Sequence, residues 1–86
     1  MKQIHWDLLK SEKLKRERGV SFEEIIQARL VGVLEHPRKS HQRLLLFELR
    51  GYIWVVPYVE RGDDMFLKTL FPSRKYTKMW KRGNLK

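Results

Sequence analysis

Two apolar runs separated by two residues constrain this chain more than any other feature. Leu44-Leu45-Leu46-Phe47-Glu48-Leu49 and Tyr52-Ile53-Trp54-Val55-Val56 flank Arg50-Gly51, a two-residue turn candidate. The spacing predicts a hairpin spanning Arg43 to Glu60. A strand with one wet face alternates apolar and polar residues, and these two scarcely do. They are therefore expected to be covered on both faces for part of their length. Arg61-Gly62-Asp63-Asp64 reads as a second turn, leading into a third strand from Met65 to Phe71 that Pro72 stops.

Helices are expected before and after these strands along the chain. Asp7 is a suitable N-cap for a helix running to Arg18, and Gly19 can take the positive φ that ends it. Ser21 followed by Glu24 forms a capping box, with Val20 and Ile25 as its hydrophobic staple. A second helix is expected from Phe22 to Leu30, presenting Phe22, Ile25, Ile26 and Leu30 on one face. Residues 31–42 mix Gly, Pro, His and charge, and read as a short strand and a loop. Ser73 can cap a last short helix in which Tyr76 and Trp80 are i,i+4 neighbours. Ile4 and Trp6 alternate about His5, which suggests a short strand over Gln3 to His5. The expected architecture is α+β: two N-terminal helices, a three- to four-stranded antiparallel sheet and a short C-terminal helix.

With 86 residues there is room for one core, so residues 1–86 are read as a single domain. The chain has no cysteine, which removes disulfides, thiolate metal sites and cysteine nucleophiles. No segment has the length of a membrane span, and the first residues do not resemble a secretion signal. A soluble, cytoplasmic protein without a membrane partner is expected.

Charge then narrows the partner. Nineteen Lys and Arg against ten Asp and Glu give a net charge of +9. Residues 65–86 hold Lys68, Arg74, Lys75, Lys78, Lys81, Arg82 and Lys86 with no acid. Tyr76 and Trp80 are interleaved with these bases, a pattern suited to RNA rather than to a merely solvated tail. Arg74 and Lys75 open a helix, where cations oppose the macrodipole but backbone N–H groups and an Arg fork can hold a phosphate. Lys68 shares a strand face with Phe66 and Leu70. It is either an edge lysine that blocks aggregation or a cation presented to phosphate. Tyr58 and Arg61 end the long hairpin strand beside the same turn; a core position is the default for Tyr58. Arg74, Lys68, Arg61 and Tyr58 are the candidate catalytic residues, and Lys10, Lys75, Tyr76 and Lys78 the candidate RNA contacts.

Other chemistries find no pattern. His36 and His41 flank a loop without carboxylates or thiols and make a poor metal motif. Asp63 and Asp64 read as turn acids. There is no phosphate-binding Gly loop and no nucleophile elbow. No metal and no cofactor are expected.

The run Trp6-Asp7-x-x-Lys10, followed by Arg18-Gly19-Val20-Ser21-Phe22-Glu23-Glu24, resembles the opening of the BrnT toxins of bacterial type II toxin–antitoxin pairs. Glu60-Arg61-Gly62-Asp63 and Ser73-Arg74-Lys75-x-Thr77-Lys78 resemble that family's second half. The resemblance implies a RelE-like ribonuclease fold and a toxin that inhibits translation by cutting RNA without metal, the 2′-hydroxyl attacking the adjacent phosphate. It also implies a cognate antitoxin, a ribbon-helix-helix protein through which the pair would reach operator DNA. Carried over by position, the matching residues are Trp6, Asp7, Lys10, Arg61, Arg74, Lys75 and Lys78. Departures stand at Leu14, where relatives have Asn, and at Arg18, where they have His. At Thr69 relatives have an arginine, and Lys68 lies one position away. A non-enzymatic basic nucleic-acid-binding module and an interaction protein that only docks an acidic antitoxin segment are the rival readings.

Overall fold

The two apolar runs form the centre of the sheet in the computed structural model, which describes residues 3–84. The elements are β1 (Gln3–His5), α1 (Leu8–Arg18), α2 (Phe22–Ile25), β2 (Arg29–Glu35), β3 (Gln42–Leu49), β4 (Tyr52–Arg61), β5 (Asp64–Leu67), β6 (Phe71–Pro72) and α3 (Arg74–Lys81). Strand order across the sheet is β1-β5-β4-β3-β2, with β6 also paired to β4. β3 and β4 pair in register from Gln42↔Val59 to Leu49↔Tyr52. Arg50 and Gly51 both have positive φ, 55° and 79°, as a type I′ turn requires. The Glu48 side chain accepts from the Gly51 N–H at 2.8 Å.

Alternation sends the two faces of this hairpin to two separate cores. Leu45, Phe47, Val56 and Tyr58 face the core that holds Leu14 of α1 and Phe22 and Ile25 of α2. Leu44, Leu46, Ile53 and Val55 face the other way and are covered by Tyr76 and Trp80 of α3. Both faces are thus buried at the hairpin, which is why its strands do not alternate in hydropathy.

The helix caps form as the sequence predicts. Asp7 Oδ1 accepts from the N–H groups of Leu9 at 2.8 Å and Lys10 at 3.2 Å. Ser21 and Glu24 close their capping box with both reciprocal bonds. Ser11, on the inner side of α1, donates to Glu23 Oε1 at 2.5 Å and accepts from the Phe22 N–H at 2.9 Å. Trp6 donates its indole N–H to Glu23 Oε2 at 3.0 Å. Lys15 reaches both Glu24 oxygens at 2.9 Å. α1 and α2 are therefore stapled together by their polar side chains.

The sheet differs from expectation in four ways. Among the described residues it has six strands rather than three or four. It is not wholly antiparallel, because β1 runs parallel to β5, pairing Gln3↔Asp64, Ile4↔Met65 and His5↔Phe66. The second helix is one turn, ending at Ile25 rather than Leu30, and the chain from Arg29 to Glu35 is a full strand. Phe22 and Ile25 already bury the helical face in that turn, and the unpaired edge of β3 claims the following residues, with a bulge between Leu30 and Gly32. The last strand breaks after Leu67 and resumes at Phe71. Across the break Leu70 turns into the α1/α2 core, where it is fully buried and its carbonyl accepts from Arg18 Nη1.

Candidate nucleic-acid interface

β5 and β6 lie end to end along one side of β4, and this arrangement sets the site. β5 pairs with residues 58–61 of β4 and β6 with Trp54 and Val55. Between them the Lys68 N–H bonds to the Pro57 carbonyl at 2.8 Å, so the pairing extends one residue beyond Leu67. By alternation Phe66 and Lys68 fall on the face that α3 covers farther along, as do Arg61, Asp64 and Phe71. Leu70, expected beside Lys68, lies on the opposite face.

The last helix is fixed at the far end of this row. Ser73 Oγ accepts from the Tyr76 N–H at 3.1 Å, and the Ser73 N–H donates to the Ile53 carbonyl at 2.9 Å. Thr77, buried, donates its hydroxyl to the Ser73 carbonyl at 2.6 Å and accepts from the Ile53 N–H at 2.8 Å. These bonds replace the sheet pairing that β4 loses where β6 ends. They hold the first turn of α3 against the strand while Arg74, Lys75 and Lys78 stay exposed. Tyr76 is half-buried against the core, and the Lys75 ammonium lies 5.5 Å from its ring centroid.

The result is a strip on one face: Arg61, Asp64 (paired with His5), Phe66, Lys68 and Phe71, then Arg74, Lys75, Tyr76 and Lys78. It follows β4 from Arg61 to Ile53, about 26 Å at ~3.3 Å per residue. Five cations and two half-exposed phenylalanines in a line suit a single-stranded nucleic acid, whose phosphates and bases recur in the same way.

Two candidate residues lie elsewhere. Tyr58 points to the α1/α2 face, 5 % exposed. There it lines a groove of 450 Å³ with Ile4, Leu30, Val33, Phe47 and Met65. Lys10 stands exposed on α1, on that same side of the sheet. The fold brings together Arg61, Lys68, Arg74, Lys75, Tyr76 and Lys78, and leaves Tyr58 and Lys10 apart from them.

One group at the strip is not legible in the local sequence. His5 Nε2 lies 3.0 Å from Asp64 Oδ1, and its ring stacks on Phe66 with centroids 5.0 Å apart and planes inclined by 20°. The Arg61 guanidinium carbon is 5.9 Å from the centroid of the same ring. Because β5 lies between β1 and β4, His5 and Arg61 flank Phe66. Asp64, read as a turn acid, is in fact the first residue of β5 and the partner of a residue 59 positions away. The only local signal is the alternation of Ile4 and Trp6, which places His5 on the opposite face from both.

No protein-family model matches the chain, and no curated protein matches it at a significant level. Among solved structures it is similar to the Brucella abortus ribonuclease toxin BrnT, at a TM-score of 0.57 and 19% identity. The match covers 85% of this chain and 97% of the toxin. The α+β fold is thus BrnT-like, in agreement with the resemblance drawn from the sequence.

Proposed function

We propose that this chain is the toxin of a type II toxin–antitoxin pair, a RelE-like, metal-independent endoribonuclease that inhibits translation. The observation that carries the reading is the cationic, aromatic strip on one sheet face, set in a fold similar to a ribonuclease toxin. RNA carries its own nucleophile, the 2′-hydroxyl, so the protein needs to align it with the phosphate and stabilise the charge that builds there. Arg74 is the principal phosphate cation at the α3 end of the strip, where it anchors the bound strand, because it opens α3 where backbone N–H groups also face an anion. Arg61 of β4 and Lys68, just beyond β5, take phosphates at the other end of the strip, Lys75 and Lys78 guide the strand, and Tyr76 lends a partly exposed ring. A cognate antitoxin of the ribbon-helix-helix type, acidic where it meets this face, neutralises the chain and links it to operator DNA. Such a toxin acts in the bacterial cytoplasm; among the described residues no helix is long and apolar enough to cross a membrane.

Expression in a bacterial host tests the reading. The wild-type chain should arrest growth, and Arg74→Ala should relieve the arrest while melting at the wild-type temperature. Harmless expression, with purified protein that binds RNA but leaves it intact, would establish the non-enzymatic binding module instead.

A further inference from the structure

His5 and Asp64 are joined by sheet order, not by sequence. β1 is added parallel to β5, which sets His5 opposite Phe66 and within 3.0 Å of the Asp64 carboxylate. Two contacts from different directions hold the imidazole: the Phe66 ring beneath it and the carboxylate at Nε2. The side chains are 43% and 45% exposed, so the pair contributes little to stability, and β1 is already fixed by its three-residue register. A carboxylate only accepts, so Nε2 carries the hydrogen, and the tautomer that leaves the lone pair on Nδ1 is the one this contact selects. Among the described residues, the groups facing this ring are Asp64 and Phe66 from β5, with Arg61 of β4 across the same phenyl ring. Lys68 continues the row.

We infer that His5 is the general base of this site, positioned by Asp64 and Phe66, and that it takes the proton of an RNA 2′-hydroxyl whose phosphate is held by Arg61. The step rests on the ribonuclease reading above. The 2′-hydroxyl proton passes to Nδ1 as the O2′–P bond forms and the P–O5′ bond breaks. The leaving 5′-oxygen takes a proton from water, and the imidazolium returns its own to the hydroxide that remains. The products are a 2′,3′-cyclic phosphate and a 5′-hydroxyl. Asp64 is a positioning residue: it fixes the tautomer and stabilises the imidazolium without touching RNA.

Single-turnover and steady-state cleavage of a ribo-oligonucleotide by the full chain tests this. His5→Gln keeps a donor for Asp64 but has no base. It should lower kcat by on the order of 100-fold or more, the usual contribution of a general base, with KM nearly unchanged. Imidazole added to His5→Ala should restore part of the rate. Asp64→Asn, which leaves the imidazole without its carboxylate, should lower kcat with KM nearly unchanged, at an unchanged melting temperature. If His5→Ala does not fold, His5→Gln and Asp64→Asn carry the test. Wild-type kcat in His5→Gln, or a loss confined to KM, overturns the role of His5 while the ribonuclease reading stands. Intact RNA with the wild-type chain overturns both.

Discussion

Replacing Thr77 by Val separates the attachment of α3 from its packing. The two side chains have nearly the same shape, and Thr77 is 4% exposed, so the substitution opens no cavity. It removes an oxygen that donates to the Ser73 carbonyl and accepts from the Ile53 N–H. Ser73 keeps a partner, because the Thr77 N–H also bonds to its carbonyl at 3.1 Å. Ile53 does not: its N–H, on a fully buried residue of the central strand, is left without an acceptor. An unmade bond to a buried donor costs about 1–3 kcal/mol. For a domain of this size about 2 kcal/mol lowers Tm by roughly 8–16 °C. Urea unfolding should show a lower midpoint with an unchanged slope. Thr77→Ser, which keeps the oxygen and loses one methyl group, should lose less. A Thr77→Val midpoint equal to wild type would refute the claim that this hydroxyl fastens α3 to β4.

The remaining expectations concern the turn, the helix junction and the strip. Gly51→Ala meets no atom within 4 Å, but φ is 79° there, so the cost is backbone strain alone, about 1 kcal/mol; Arg50→Asn, at φ 55°, should stabilise the turn by a few tenths. Ser11, a backbone N–H and the Trp6 indole donate to Glu23 and hold its carboxyl below the ordinary 4.5. Lys15 and the Ser21 N–H lower Glu24 in the same way. Both depressed groups give stability that is complete above 4.5 and lost as pH falls through their lower folded values. Glu23→Gln should flatten the decline of the urea midpoint below that pH, and an unchanged decline would contradict the assignment. If all five strip cations meet phosphates, log K for single-stranded RNA should fall with log salt at a slope of about −3.5, and Lys78→Ala should reduce it by ~0.7. Equal slopes for the variant and the wild type would remove Lys78 from the RNA path.

Local chemistry in the sequence announces the elements that local chemistry makes. The I′ turn at Arg50-Gly51, the capping box at Ser21 and the Ser73 cap each involve residues within four positions of one another, and each forms. Arg29 and Leu30 are acceptable in a helix, so their own propensities do not reveal that the edge of β3 will draw them into a strand. The break after Leu67 is equally hidden, since a continuous strand and an interrupted one share the same composition. Most of the basic strip was readable from charge and the expected last helix, because Arg74, Lys75, Tyr76 and Lys78 are neighbours in sequence. The separation of Tyr58 from them follows from strand alternation once the two faces are known. The His5–Asp64 pair depends on a parallel strand added at the sheet edge, a pairing that neither segment signals.

Cleavage of a defined RNA by the purified chain, in the presence of a chelator, tests the central claim most directly. The account predicts fragments ending in a 2′,3′-cyclic phosphate, no cutting at a nucleotide whose 2′-hydroxyl is methylated, and a loss of at least about 10-fold in rate for Arg74→Ala. RNA that stays intact with the wild-type chain, or that Arg74→Ala cuts as fast, would contradict it.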